Sequence, residues 1–91
     1  MDFVWRTSAD ISLDLADRLK HIRKRKKITQ LKLSEISGVS YASLRRFERT
    51  GNISLSSLIK IADALGLVNE IDSLFTQPVY SSIDEVINDV R

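Results

Sequence analysis

Apolar positions recur along this chain with a helical period. In Ser12–Arg25, Leu15, Leu19 and Ile22 fall at i, i+4 and i+7 with Ile11 and Ala16 beside them, forming one stripe. Ser12 reads as the N-cap of this first helix. Asp14 and Asp17 sit near its positive end and a cluster of cations at its negative end. Continued past Arg25, the helix would put Lys26 on the stripe, so it is expected to stop there. Thr29 caps a second helix, Gln30–Ser37, and Gly38 suits the left-handed residue that closes it. Ser40 caps a third helix running to Thr50, with Gly51 as its stop. Ser54 caps a fourth through Leu65, with Ile53 placed to staple against Leu58 and Gly66 beyond. A fifth, Val68–Phe75, carries Val68, Ile71, Leu74 and Phe75 on one side. The pattern therefore predicts an all-α domain of five short helices over residues 12–76.

Two flanks lie outside that domain. Residues 1–11 read as a short arm that includes the apolar Phe3-Val4-Trp5. Beyond the Gln77-Pro78 break, residues 77–91 form an extension in which Ser82-Ile83-Asp84-Glu85 is a capping box. It opens a last helix with Ile83, Val86, Ile87 and Val90 on one stripe, and that stripe must cover the domain itself or another chain.

Composition narrows the function classes. Thirty of the 91 residues are Leu, Ile, Val or Phe, enough for a modest core. The absence of cysteine removes disulfides and thiolate metal sites, and the lone His21 has no neighbouring histidine or cysteine with which to bind a metal. No metal or cofactor is expected. No apolar run approaches the ~18–20 residues of a membrane span and no signal-peptide pattern opens the chain, so a cytoplasmic location is expected. There is no glycine-rich phosphate loop or nucleophile elbow, and the carboxylate pairs Asp14/Asp17 and Asp84/Glu85 sit in first helical turns, where the dipole accounts for them. An enzyme is not expected.

The formal charge of +2 hides a division. Residues 1–50 hold 12 basic and 6 acidic residues, a net of +6, whereas residues 51–91 hold 2 and 6, a net of −4. Arg18–Lys32 contains eight cations and no acidic residue. A solvated helix face explains such a run as readily as a polyanion partner does, so charge alone leaves both open.

The segment Ile28-Thr29-Gln30-Leu31-Lys32-Leu33-Ser34-Glu35-Ile36-Ser37-Gly38-Val39-Ser40, followed by Leu44-Arg45-Arg46-Phe47-Glu48, resembles the helix-turn-helix of the phage repressor and Cro family, also called XRE-like. The resemblance covers about Ser12–Phe75. It includes Thr-Gln at the start of helix two, Gly-Val-Ser at the turn, a glutamate late in helix three, and Ile-Ala-Asp-Ala-Leu-Gly closing helix four. A duplex major groove admits one helix, whose N-terminal residues reach base edges. Helix three turns Leu44 and Phe47 to one side and Ala42, Arg45, Arg46 and Arg49 to the other, which is the face such a groove requires.

The resemblance implies roles position by position. Tyr41, Ala42 and Arg46 fall where the family reads bases, Arg46 being suited to bidentate donation to guanine. Gln30, Ser40, Ser43, Arg45 and Arg49 fall at phosphate-contacting positions, although Ser40 is also explained by its duty as a cap. Arg23 matches the arginine that pairs with the glutamate at Glu48, a structural ion pair joining helices one and three. Two departures stand out. Leu31 and Ile36 occupy positions the family usually makes polar, and Ser34 and Ser37 replace alanines. Leu31 and Ile36 are expected to be covered by this chain's own flanks, the alternative being a partner surface.

On this resemblance the chain is a sequence-specific double-stranded DNA-binding transcription regulator, acting as a homodimer on a palindromic operator. Ile71, Leu74, Phe75, Ile83, Val86, Ile87 and Val90 are expected in dimer or partner contacts. Phe47-Glu48-Arg49-Thr50-Gly51-Asn52-Ile53-Ser54-Leu55 and the Ser-Ile-Asp-Glu-Val tail also look like small repressors accompanying HipA-type kinase toxins, which implies an antitoxin repressing its own operon. The alternatives are a stand-alone phage- or chromosome-type repressor without a toxin partner, and a protein-interaction module using the same fold without DNA.

Overall fold

The computed structural model describes residues 6–78; Phe3, Val4 and Trp5 and the stripe Ile83, Val86, Ile87 and Val90 lie outside the described residues. Its elements are five helices in chain order: α1 (Ser8–Arg25), α2 (Gln30–Ser37), α3 (Tyr41–Thr50), α4 (Leu55–Ala64) and α5 (Val68–Asp72). No strand occurs among the described residues.

Local chemistry fixes most of the boundaries. The side chains of Thr29, Ser40 and Ser54 accept hydrogen bonds from the backbone N–H of Lys32, Ser43 and Ser57, and so satisfy donors that each helix start leaves open. Gly38 and Gly51 close α2 and α3 in the left-handed conformation, at φ 77° and 80°. The first helix begins at Ser8, four residues before the expected Ser12. Thr7 is its cap, and the reciprocal bonds between Thr7 and Asp10 form a capping box that wins over the isolated Ser12 hydroxyl. These bonds, the backbone N–H of Thr7 foremost, hold the Asp10 carboxyl below its ordinary pKa, with the Arg6 cation adding to the effect.

The fifth helix is shorter than its apolar pattern predicts, ending at Asp72 instead of Phe75. It has no side-chain cap, and the hydroxyls of Ser73 and Thr76 bond the carbonyls of Glu70 and Ser73, drawing the chain out of the helix. Phe75 is left-handed at φ 62° and 96% exposed, so it does not share a face with Ile71.

The core is built from every one of the first four helices and the turn: Ala16, Leu33, Val39, Leu44, Phe47, Ile61 and Leu65 are buried together, with Leu19, Ile22, Ile53 and Leu58 packed around them. Gly51 brings the end of α3 against the backbone of α1. A Cβ there would stand 2.7 Å from the backbone carbon of Ser12 and 2.8 Å from the nitrogen of Leu13, so only glycine lets the end of α3 lie on α1. The two serines that depart from the family pattern also have work in the turn. Ser34 Oγ donates to the Val39 carbonyl at 2.6 Å, and Val39 N–H donates to Ser37 Oγ at 3.2 Å.

Candidate nucleic-acid interface

The α2–turn–α3 unit presents one face of α3 to the core and the other to solvent. Leu44 and Phe47 are buried, whereas Tyr41, Ala42, Ser43, Arg45, Arg46 and Arg49 are exposed. A helix of 10 residues is marginal alone in water, so its placement comes from the buried face and its termini.

The strongest of these attachments is ionic. Arg23 Nε donates to Glu48 Oε2 at 2.7 Å and its Nη2 donates to Oε1 at 2.9 Å, a two-pronged pair whose side chains are only 8% and 5% exposed. The third nitrogen of Arg23 donates to the carbonyl of Ile28 at 2.8 Å, tying in the loop between α1 and α2. Gln30 Nε2 donates to Glu48 Oε1 at 2.8 Å. The carboxylate thus receives three donors from two residues, Arg23 of α1 and Gln30 of α2, and no buried side-chain polar atom among the described residues lacks a partner. Arg23 is spent inside the protein; the cations left to a ligand lie elsewhere.

An open concavity of about 630 Å³ lies between α1, α2 and α3. Lys20, Gln30, Ala42, Arg45, Arg46 and Arg49 line it, with the neutralised Glu48 at its base. Four cations around one hollow make a surface for a polyanion. Arg46 also borders a second, smaller hollow of about 180 Å³ shared with Ser43, Asn52, Ser54 and Ser57, so it stands on the ridge between the two. Arg45 leans over the ring of Tyr41, its guanidinium carbon 5.5 Å from the ring centre; the two side chains form a cation–π pair and are positioned together. Ser40 Oγ is occupied twice, accepting from the Ser43 backbone N–H and donating to Ser43 Oγ at 2.8 Å. That leaves the hydroxyl proton of Ser43 as the outward donor. Gln30 keeps a second amide N–H beyond the one given to Glu48.

Tyr41, Ala42, Ser40, Ser43, Arg45, Arg46 and Arg49 therefore share the outward side of α3 and its cap, with Gln30 alongside. Ile71 and Leu74 lie on another surface, beside a cleft that residues of α1 and α4 also line. Sequence reasoning passed over Lys20, Asn52 and Ser57. Lys20 had a readable signal: Ala16, Lys20 and Arg23 share a helical face, and Ala16 and Arg23 are buried where α1 packs on α3. Asn52 and Ser57 had none, since their place follows from how α4 sits beside α3. Leu31 and Ile36 remain 57% and 47% exposed. His21 is also exposed, with Nδ1 2.7 Å from the carbonyl oxygen of Asp17, and no group of three metal-ligating side chains occurs among the described residues. No helix among them is long and apolar enough to cross a membrane.

A family model described as helix-turn-helix matches residues 19–70, which span helix one from Leu19 through α5 as far as Glu70. No curated protein matches the chain. The matched segment contains the turn, the buried Arg23–Glu48 pair and the cationic outer side of α3, and on that basis the chain belongs to the helix-turn-helix family of XRE-type DNA-binding transcription regulators.

Proposed function

We propose that the protein is a homodimeric, sequence-specific repressor that acts in the cytoplasm by covering a palindromic promoter site. The observation that carries this reading is the concavity of Lys20, Arg45, Arg46 and Arg49 set around a helix whose other face is locked to the core. Arg46, on the ridge, reads a guanine edge. Tyr41 and Ala42, at the start of α3, meet neighbouring bases, the alanine methyl being suited to a thymine methyl. Gln30, Ser43, Arg45 and Arg49 hold phosphates, and Ser40 orients Ser43 from the cap. One such module reads too few base pairs for tight specificity, which two-fold pairing supplies. The end of the molecule bearing the exposed Phe75 is the proposed pairing surface.

The test is a titration of the gene's own upstream DNA against a shuffled duplex of the same composition, at fixed salt. The upstream duplex is expected to bind at least ~10³-fold tighter. Equal affinity for both would overturn the regulator reading in favour of a protein-interaction module. A second reading, an antitoxin that also binds a HipA-type kinase, is supported by the Phe47–Leu55 segment and by the Ser-Ile-Asp-Glu-Val tail. It requires a kinase-like neighbouring gene whose product copurifies with this chain; a gene with no such neighbour speaks for the stand-alone repressor.

A further inference from the structure

A second depression, sharing no residue with the cationic concavity, is apolar. It is a cleft of about 240 Å³ walled by Leu15, Leu19 and Ile22 of α1, Leu58 of α4, and Ile71 and Leu74 at the α5 end. Leu15 and Leu74 are 42% and 52% exposed, so the described part of the chain leaves this wall uncovered. Arg18 stands on the α1 side of the cleft and Glu70 on the α5 side. We infer that residues 82–91 of the same chain form an amphipathic helix seated in this cleft.

Three observations carry the inference. The first is where the chain leaves: Leu74 is itself part of the cleft wall, the described chain ends four residues later at Pro78, and the five residues from there to Ile83 span up to about 17 Å when extended. The cleft wall on α1, from Leu15 to Ile22, is only about 10 Å long, shorter than that span. The second is pattern. Ile83, Val86, Ile87 and Val90 are spaced i, i+3, i+4 and i+7, the anchors of a helix laid in an apolar groove, and Ser82 with Glu85 supplies the cap. The third is charge. On a helix, Glu85 and Asp89 flank that stripe on one side and Arg91 flanks it on the other, with Asp84 two turns before Arg91. One orientation sets the two carboxylates against Arg18 and brings Arg91 towards Glu70. The exposed Leu31 and Ile36 on α2 lack both features, being remote in sequence from the point of departure and lining none of the hollows described. The seating assigns Ile83, Val86, Ile87 and Val90 to the domain's own surface and leaves Phe75 outward for pairing.

The chain has no cysteine, so a single spin label can be placed at Asn88→Cys, opposite the stripe. In the labelled chain the methyl NMR signals of Leu15, Leu19, Ile71 and Leu74 are expected to lose most of their intensity, while those of Leu31 and Ile36 keep theirs. In a mixture of spin-labelled chain with isotope-labelled, spin-free chain, the same signals should keep their intensity. Adding Ile87→Asp to the labelled chain should restore them without moving the core signals of Leu33 and Ile61. Loss at Leu31 and Ile36 instead, loss in the mixed sample, or no loss anywhere would each overturn the proposal, the mixed-sample result by giving the cleft to a second copy.

Discussion

The inner and outer sides of α3 are built to opposite requirements. Inward, Leu44, Phe47 and Glu48 each have one partner set and no slack: two apolar residues in the core, and a carboxylate held by Arg23 and Gln30. Outward, Tyr41, Ala42, Ser43, Arg45, Arg46 and Arg49 meet one another or solvent. The difference separates holding from reading. Inner residues decide where the helix is, and on the proposed function outer residues decide what it touches. Substitutions on the two sides should therefore fail in different assays.

The largest effect is expected inside. Arg23→Ala strands the Glu48 carboxylate in a site with almost no solvent, and urea denaturation should show a loss of about 3–5 kcal/mol. Arg23→Lys should recover only part of it, because an ammonium cannot span both oxygens and the Ile28 carbonyl. Loss of DNA binding in the alanine variant should follow loss of fold. A folded, wild-type-stable Arg23→Ala would erase the distinction between the two sides. Gly51→Ala comes next. The left-handed backbone alone costs about 1–2 kcal/mol, and contact with the Ser12 and Leu13 backbone adds to it, so Tm should fall by several degrees. On the outer side, Arg46→Ala should lose about 1–3 kcal/mol on the operator and relax preference at one base pair, with Tm unchanged.

Gln30→Ala sharpens the comparison because Gln30 belongs to both sides. It should weaken binding to all duplexes alike if its free amide N–H holds a phosphate as proposed, and cost about 1 kcal/mol of stability through the lost bond to Glu48. An effect confined to one assay would assign the residue to one side. The smallest effect is remote from α3. The Asp10 carboxyl, lowered by its bonds to Thr7, contributes helix-end stability that is complete above its unfolded pKa and lost as pH falls through the lower folded value. The protection of the Asp10 and Ile11 backbone amides, measured against the intrinsic exchange rate at each pH, should fall in acid, whereas that of the α3 amides stays unchanged.

What was legible in the sequence was what short stretches determine. Thr29 with Gly38, Ser40 with Gly51, and Ser54 mark helix limits through bonds made within a few residues, and all act where expected. The start of α1 was misread although the signal is local: Thr7 and Asp10 are spaced as a capping box, but Ser12 lay nearer the apolar stripe. The early end of α5 was less readable, since Leu74 and Phe75 continue the apolar period that the hydroxyls of Ser73 and Thr76 interrupt. In the interface, the facing of Arg45, Arg46 and Arg49 follows from helical spacing. The bond from Gln30 to Glu48, the place of Asn52 beside Arg46, and the fit of Gly51 against Ser12 do not. They depend on how helices distant in sequence are laid together, which only the assembled fold fixes.

The attachment of Glu48 has a consequence for how such a protein can diversify. Arg23 and Gln30 are both bonded to Glu48, and Gly51 lies too close to the backbone of Ser12 to carry a side chain, so a change at one of these positions demands a matching change at another before the chain is stable again. Positions 41, 42, 45, 46 and 49 carry no such debt to the core. Single nucleotide changes there pass through folded intermediates, so if these positions read DNA as proposed, duplicated copies of the gene can drift to different binding sites one residue at a time while the scaffold stays under a joint constraint.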